Sequence, residues 1–186
     1  MPMERRREPW DARALLLLGV LRQRSQHGYQ INDFIERCQV AELKKPTAYA
    51  LLDRLVAAGH ISLRTEQEGN RPVRKVYTLR SSGQALFDAL LRDNLSTPGQ
   101  GSGSGDIGLM FLDHLPRAEA AACLRRRLAQ LDAMLTTSSE VPPDDAHAGI
   151  SVGPALDHQA ALRQADRVWL ASFLERLEAM TEAAPA

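Results

Sequence analysis

Two adjacent lysines, Lys44 and Lys45, stand immediately before Pro46, and Thr47 and Tyr49 follow with side-chain hydroxyls. Proline suits the first turn of a helix because it lacks an N–H that would go unpaired there. A helix opening at this point carries two cations at the positive end of its dipole, beside free backbone N–H groups, an arrangement that attracts phosphate. Leu51, Leu52 and Leu55 supply an inner face for the same segment, and Arg54 lies among them. A second basic cluster, Arg71, Arg74 and Lys75, follows later in the chain. Hydroxyls and cations in this pattern offer contacts to phosphates and to base edges, with sequence read by the base contacts.

Each residue has a plainer alternative. Tyr49 is also a fit for a core ring with its hydroxyl at the surface, the lysines for a solvated pair, and Arg74 for a cross-strand partner of Glu66. Tyr29 and Tyr77 read as packing residues. Catalytic chemistry has less support, since the chain has no Gly-rich phosphate loop, nucleophile elbow or metal constellation. The five histidines, at 27, 60, 114, 147 and 158, lie on different elements without ligand spacing. Cys38 and Cys123 are isolated and read as reduced thiols. No metal and no cofactor is expected, and the expected answer on enzyme activity is no.

The elements that must position these groups can be read around them. Asp11 is an N-cap candidate for a first helix running to about Arg22. Gly28 begins a second, with Tyr29, Ile31, Phe34 and Ile35 as its apolar set, and the third ends at Gly59. The period then changes to alternation. Ile61 and Leu63 lie on one strand, Val73, Lys75, Tyr77 and Leu79 on another, with a loop over residues 68–72. Ser81 caps a fourth helix through Leu86, Leu90 and Leu91. The fold class expected is mainly α with a small β-hairpin: a winged helix-turn-helix domain followed by a C-terminal helical dimerisation domain.

The domain reading is a mobile arm over residues 1–10, the winged helix-turn-helix over 11–95, a Gly/Ser-rich linker over 96–106 and the C-terminal helical domain over 107–182. In that last domain Leu124, Leu128, Leu131 and Leu135 form one apolar stripe, and Leu162, Ala165, Val168, Trp169, Phe173, Leu177 and Met180 form a broader one. Two helices on a linker have little core to bury both stripes, so packing between subunits is expected, with Leu124, Leu128, Leu131, Leu162, Trp169 and Leu177 at the dimer interface. Trp169 reads as an interface anchor or as one wall of an effector pocket for a small aromatic molecule, with Phe173 and Trp10 as its companions.

The formal net charge of zero hides an asymmetry. Residues 1–98 hold 16 Lys and Arg against 11 Asp and Glu, a net +5, and the remainder holds 7 against 12, a net −5. The basic half is the candidate for a polyanion. The run Ala14–Leu21 is far too short to cross a bilayer, and no cleavage site follows Arg5-Arg6-Arg7, so a cytoplasmic protein without membrane contact is expected.

Three separated blocks resemble the PadR family of bacterial transcriptional regulators: His27-Gly28-Tyr29-Gln30-Ile31, then Thr47 to Leu55 with Gly59-His60-Ile61, then Arg74 to Leu79 with Gly83. The resemblance covers about residues 12 to 95, and the tail is similar to the longer-tailed branch. It implies a homodimer with one winged helix per subunit and C-terminal helices at the dimer interface, acting as a repressor relieved by a small ligand. Pro46-Thr47-Ala48-Tyr49-Ala50 stands where the family commonly has Gly-Thr-Leu-Tyr-Pro, and Arg80 where Thr is usual. The function expected is thus a ligand-responsive regulator binding a roughly palindromic operator in double-stranded DNA. The competing reading is a winged-helix protein-interaction module without DNA binding.

Overall fold

The computed structural model describes residues 10–23, 26–38, 43–67, 73–99, 106–138 and 153–182. The chain divides into two compact units, Met1–Asn94 with Gly99–Phe111 and Leu95–Pro98 with Leu112–Ala186. Among the described residues no helix is long and apolar enough to cross a membrane.

The first unit is built on α1 (Ala12–Gln23). Asp11 caps it, its Oδ1 accepting the N–H groups of Arg13 and Ala14 at 3.0 and 3.3 Å. Ala14, Leu15, Leu16, Leu17, Leu18, Val20 and Leu21 are all buried. A helix apolar on every side belongs inside a core, and that is where the leucine run lies. Gly19 makes room for the Phe111 ring, since a Cβ there would lie 2.3 Å from Cζ. Phe111, from the short 3₁₀ segment Gly108–His114, in turn meets Phe87 edge-on at 5.6 Å.

Two residues of strand, β1 (Gln26–His27), precede α2 (Gly28–Cys38). Then come α3 (Lys45–Ala57), β2 (Ile61–Glu66) and β3 (Arg74–Leu79). The sheet order is β1-β3-β2, antiparallel throughout, with Gln26 opposite Tyr77 and Ile61 opposite Leu79. The expected hairpin is present, and β1 adds a third strand that a two-residue segment does not announce by alternation. The expected core alternation from Val73 is corrected: Val73 lies before the strand and is 57% exposed. Val76 and Tyr77 are both buried, because β3 is the central strand and is packed by α1 and α2.

The end of α3 fixes the geometry of the turn into β2. Gly59 has φ of 78°, its N–H bonds to Val56 O at 2.9 Å, and His60 N–H bonds to Leu55 O at 2.9 Å. These are the two hydrogen bonds of a Schellman cap, which needs the left-handed conformation at its glycine. The same turn is bolted to α4 (Ser81–Ser96): Arg80 N–H reaches His60 O at 3.0 Å, and Ser82 Oγ donates to Gly59 O at 2.9 Å. The expected cap at Ser81 shifts by one residue. Arg80 opens the helix, its carbonyl accepting Gln84 N–H at 2.9 Å. Leu86 and Leu90 are only half-buried, and Phe87, Leu91 and Leu95 form the inward face.

The second unit contains α5 (Arg117–Ser138) and α6 (Gly153–Glu182), packed on each other. Ala120, Leu124 and Leu131 of α5 are buried with Leu170, Leu174 and Leu177 of α6. Arg125 pairs with Glu178 and Asp132 with Arg167, so the helices run antiparallel. Between these pairs Arg127, 2% exposed, directs Nη2 at both oxygens of Asp166, at 3.1 and 3.0 Å.

Gly83 sits where α4 crosses the turn, and a Cβ there would lie 2.2 Å from the backbone oxygen of His60. Backbone cannot move aside as a flexible side chain can. Gly83→Ala is therefore expected to destabilise the first unit by about 1–3 kcal/mol, read as a lower urea midpoint with unchanged slope.

Candidate nucleic-acid interface

The third helix meets the requirement for a recognition element, one face anchored and the other open. Ala48, Leu51, Leu52 and Leu55 are buried, and Leu43 and Ala48 occupy the two positions of a hydrophobic staple across its start. Lys44, Lys45, Pro46, Thr47 and Ala50 are exposed. Lys44 is the N-cap residue in extended conformation and makes no side-chain cap hydrogen bond. The positive end of the helix dipole thus opens between two lysines at the surface.

Tyr49 is half-buried, its ring lying across Gly28: a Cβ on Gly28 would stand 3.2 Å from both Cε1 and the hydroxyl. This close approach joins the start of α2 to the start of α3. The α2 start is further held by Gln30, whose Oε1 accepts the His27 N–H at 3.0 Å, as in one half of a capping box. Beneath lies Tyr77, fully buried, its hydroxyl without a hydrogen-bond partner among the described residues. Burial holds its phenol above the ordinary value of 10.0, with the charge of Asp53 and then Tyr49 pushing the same way.

The remaining residues expected at a DNA surface fall in three places. Arg54 is exposed near the far end of α3, its guanidinium 5.1 Å over the ring of Trp10, and Trp10 meets His60 edge-on at 5.5 Å. Arg74 and Lys75 are exposed at the start of β3. Arg71 lies outside the described residues, as do residues 1–9 of the expected arm and residues 100–105 of the expected linker. Arg74 stands opposite Glu66 in the ladder, yet the Glu66 carboxylate is taken by Arg64 at 2.7 Å. Arg74 turns instead to Tyr29, its guanidinium 5.9 Å over the ring.

Tyr29 corrects the sequence reading, since it is 56% exposed rather than packed in the core. Ile31 and Ile35 form the buried face of α2, and a separation of two residues turns a side chain through about 200° on a helix. Its ring stacks on His27, with centroids 5.4 Å apart and planes at 16°.

In the second unit the residues expected at a dimer interface divide. Leu124, Leu131 and Leu177 are already covered within one chain, and Leu128 is half-buried. Leu162 and Trp169, at 52% and 43% exposed, lie on the other side of α6 with Val168. There Ala161, Gln164, Ala165, Val168, Trp169 and Ser172 form a shallow, open and mostly apolar surface along α6. Trp169 stacks on Phe173, with centroids 5.1 Å apart and planes at 6°. Trp10 belongs to the first unit. Sequence reasoning missed the buried Arg127–Asp166 pair, whose only signal was a charge on an otherwise apolar helix face. Cys123 is a buried free thiol, and the Cys38 side chain lies outside the described residues. No group of His, Cys, Asp and Glu suited to a metal occurs among the described residues.

A helix-turn-helix whose second helix presents a basic amino-terminal turn, followed by an antiparallel hairpin and a closing helix, defines the winged helix-turn-helix class. Comparison with known proteins narrows the class. The model of the transcriptional regulator PadR-like family matches residues 17–89. Over 123 residues the chain is 31% identical to the negative transcriptional regulator PadR of Bacillus subtilis (strain 168), covering 64% of this chain and 67% of that protein. The chain belongs to the PadR-like family, a family of transcriptional regulators and not of enzymes.

Solved structures similar to this chain include Bacillus subtilis PadR in complex with operator DNA, at 23% identity, covering 88% of this chain and 98% of that one, with a TM-score of 0.43. Bacillus subtilis PadR in complex with p-coumaric acid is similar at 21% identity, covering 92% and 98%, with a TM-score of 0.41.

The buried Tyr77 phenol has a consequence for alkaline stability. The unfolded chain releases this proton near its ordinary pKa of 10.0 while the folded chain retains it. With more protons bound in the folded state, stability must fall as pH rises above that value, by at most about 1.4 kcal/mol per pH unit. Thermal melts between about pH 9 and 11 should show a shallower alkaline decline in Tyr77→Phe than in the wild type.

Proposed function

We propose that this protein is a DNA-binding repressor that acts as a homodimer on a roughly palindromic operator and is released by a small effector. The observation that carries the reading is the amphipathic division of α3: leucines anchored inward, Lys44, Lys45 and Thr47 exposed at its amino-terminal turn. Family membership supports regulation of transcription, and the curated relative's name, a negative regulator, supports repression. In this reading α3 enters the major groove with Thr47 and Tyr49 near base edges. Lys44, Lys45, Arg71, Arg74 and Lys75 hold the flanking backbone, and Arg54 serves at the far end of the helix.

Self-association uses the outer face of α6. Leu162, Val168 and Trp169 expose apolar surface along one side of a helix whose other side is already buried, and a second copy would cover it. Two recognition helices related by a two-fold axis then favour a site with matching symmetry. The surface beside the Trp169–Phe173 stack would form one wall of a site for a flat aromatic molecule at the edge of that assembly, which ties effector binding to the helix that mediates it. In this account residues 11–95 are the DNA-binding domain and residues 107–182 the dimerisation and effector domain.

Substituting both Lys44 and Lys45 with Ala should weaken binding to duplex DNA from the chain's own upstream region and lower the slope of log K against log salt by about two per bound subunit, or about four for a dimer. Fluorescence anisotropy across a salt series measures this, and an unchanged slope would remove the lysines from the phosphate contacts. Light scattering should give the mass of a dimer for the wild type, and a smaller mass for Trp169→Glu with its melting temperature preserved. A wild-type monomer at micromolar concentration would contradict the assembly.

A further inference from the structure

Tyr29 is more than half exposed and yet meets two other side chains through its ring, an uncommon use of surface. Tyr29 stacks against His27 on its own chain segment and carries the Arg74 guanidinium over its ring. The three residues come from β1, the start of α2 and the start of β3. The start of α3 joins them through Tyr49, whose phenol crosses Gly28, the immediate neighbour of Tyr29. The helix-turn-helix and the wing therefore converge on Gly28 and Tyr29.

A guanidinium held over a ring face does not use its N–H donors on the ring carbons, and those donors match the oxygens of a phosphate. Arg74 is exposed, and among the described residues no carboxylate pairs with it, since Glu66 is engaged by Arg64. The cation–π contact with Tyr29 favours this placement of the long Arg74 side chain before any ligand arrives, so less rotamer freedom is lost on binding. The phenol hydroxyl of Tyr29 adds a neutral donor at the same surface.

From this geometry we infer that Tyr29 and Arg74 together form a phosphate-binding platform that grips the backbone of duplex DNA between the recognition helix and the wing. The platform rests on the DNA-binding reading above and extends it, because Tyr29 otherwise has no functional role. Tyr29 is a contact residue through its hydroxyl and a positioning residue for Arg74 through its ring. His27 stacks on the same ring.

The test uses the full chain and a labelled duplex of arbitrary sequence at low salt, because a backbone contact acts on every sequence alike. Tyr29→Phe, which keeps the ring, should lose roughly threefold in affinity with an unchanged salt slope, and Tyr29→Ala roughly tenfold. Arg74→Ala should lower the salt slope by about one per bound subunit, or about two for a dimer. The double variant Tyr29→Ala/Arg74→Ala should lose less than the product of the two single losses, because the residues act as one unit. Melting temperatures within a few degrees of wild type, expected for an exposed ring, separate binding from folding. Wild-type affinity in Tyr29→Ala, or single losses that multiply in the double variant, would overturn the platform. A wild-type chain that holds no duplex even at low salt would instead overturn the DNA reading, and the platform with it.

Discussion

The structure depends on how α3 is held. Its leucine face is buried completely enough that the helix cannot roll, and its opposite face must then stay outward with Lys44, Lys45 and Thr47 on it. The burial of Leu52 and Leu55 alone contributes on the order of 2 kcal/mol per side chain. An exposed lysine pair in water contributes little, so apolar anchorage fixes the orientation and the charges follow it. If the helix were free to rotate about its axis, the lysines and hydroxyls would present no fixed pattern to a ligand.

Anchorage at the near end is matched by the cap at the far end. The Schellman bonds at Gly59 set the direction of β2, and the carbonyls of Gly59 and His60 accept donors from Ser82 and Arg80 at the start of α4. The wing is therefore aimed by the same turn that ends the recognition helix. Gly83 lets α4 pass close enough for those bonds to form. Across the sheet, β1 joins the chain before α2 to β3, so the wing strand is tied to the helix-turn-helix at both edges.

Elements governed by local chemistry were legible in the sequence. Asp11 before an apolar run, Pro46 at a helix start and Gly59 at a helix end each solve a backbone problem within a few residues, and each does so in the structure. What depends on partners distant in the chain was not. Tyr29 reads as a core residue because aromatic residues usually pack, although its rotation from Ile31 and Ile35 around α2 places it at the surface. The stripe of α6 expected through Leu162, Ala165, Val168, Trp169, Phe173, Leu177 and Met180 mixes two faces: Leu162, Val168 and Trp169 are exposed, while Leu177 is buried with Leu170 and Leu174, and no single-helix pattern separates the two apolar sides. Likewise β1 is two residues long and exists only through its pairing with β3. The basic surface at α3 was read from residue types, and what the structure adds is the convergence of Tyr49, Gly28 and Tyr29 around it.

The account turns on which surface meets nucleic acid. Backbone amide shifts followed during titration with a duplex test it directly. The account predicts changes at residues 44–50, at Gly28 and Tyr29 and at the start of β3, with the buried leucines of α3 little affected. Shifts confined to α5 and α6, with residues 44–50 unmoved at saturating duplex, would contradict it.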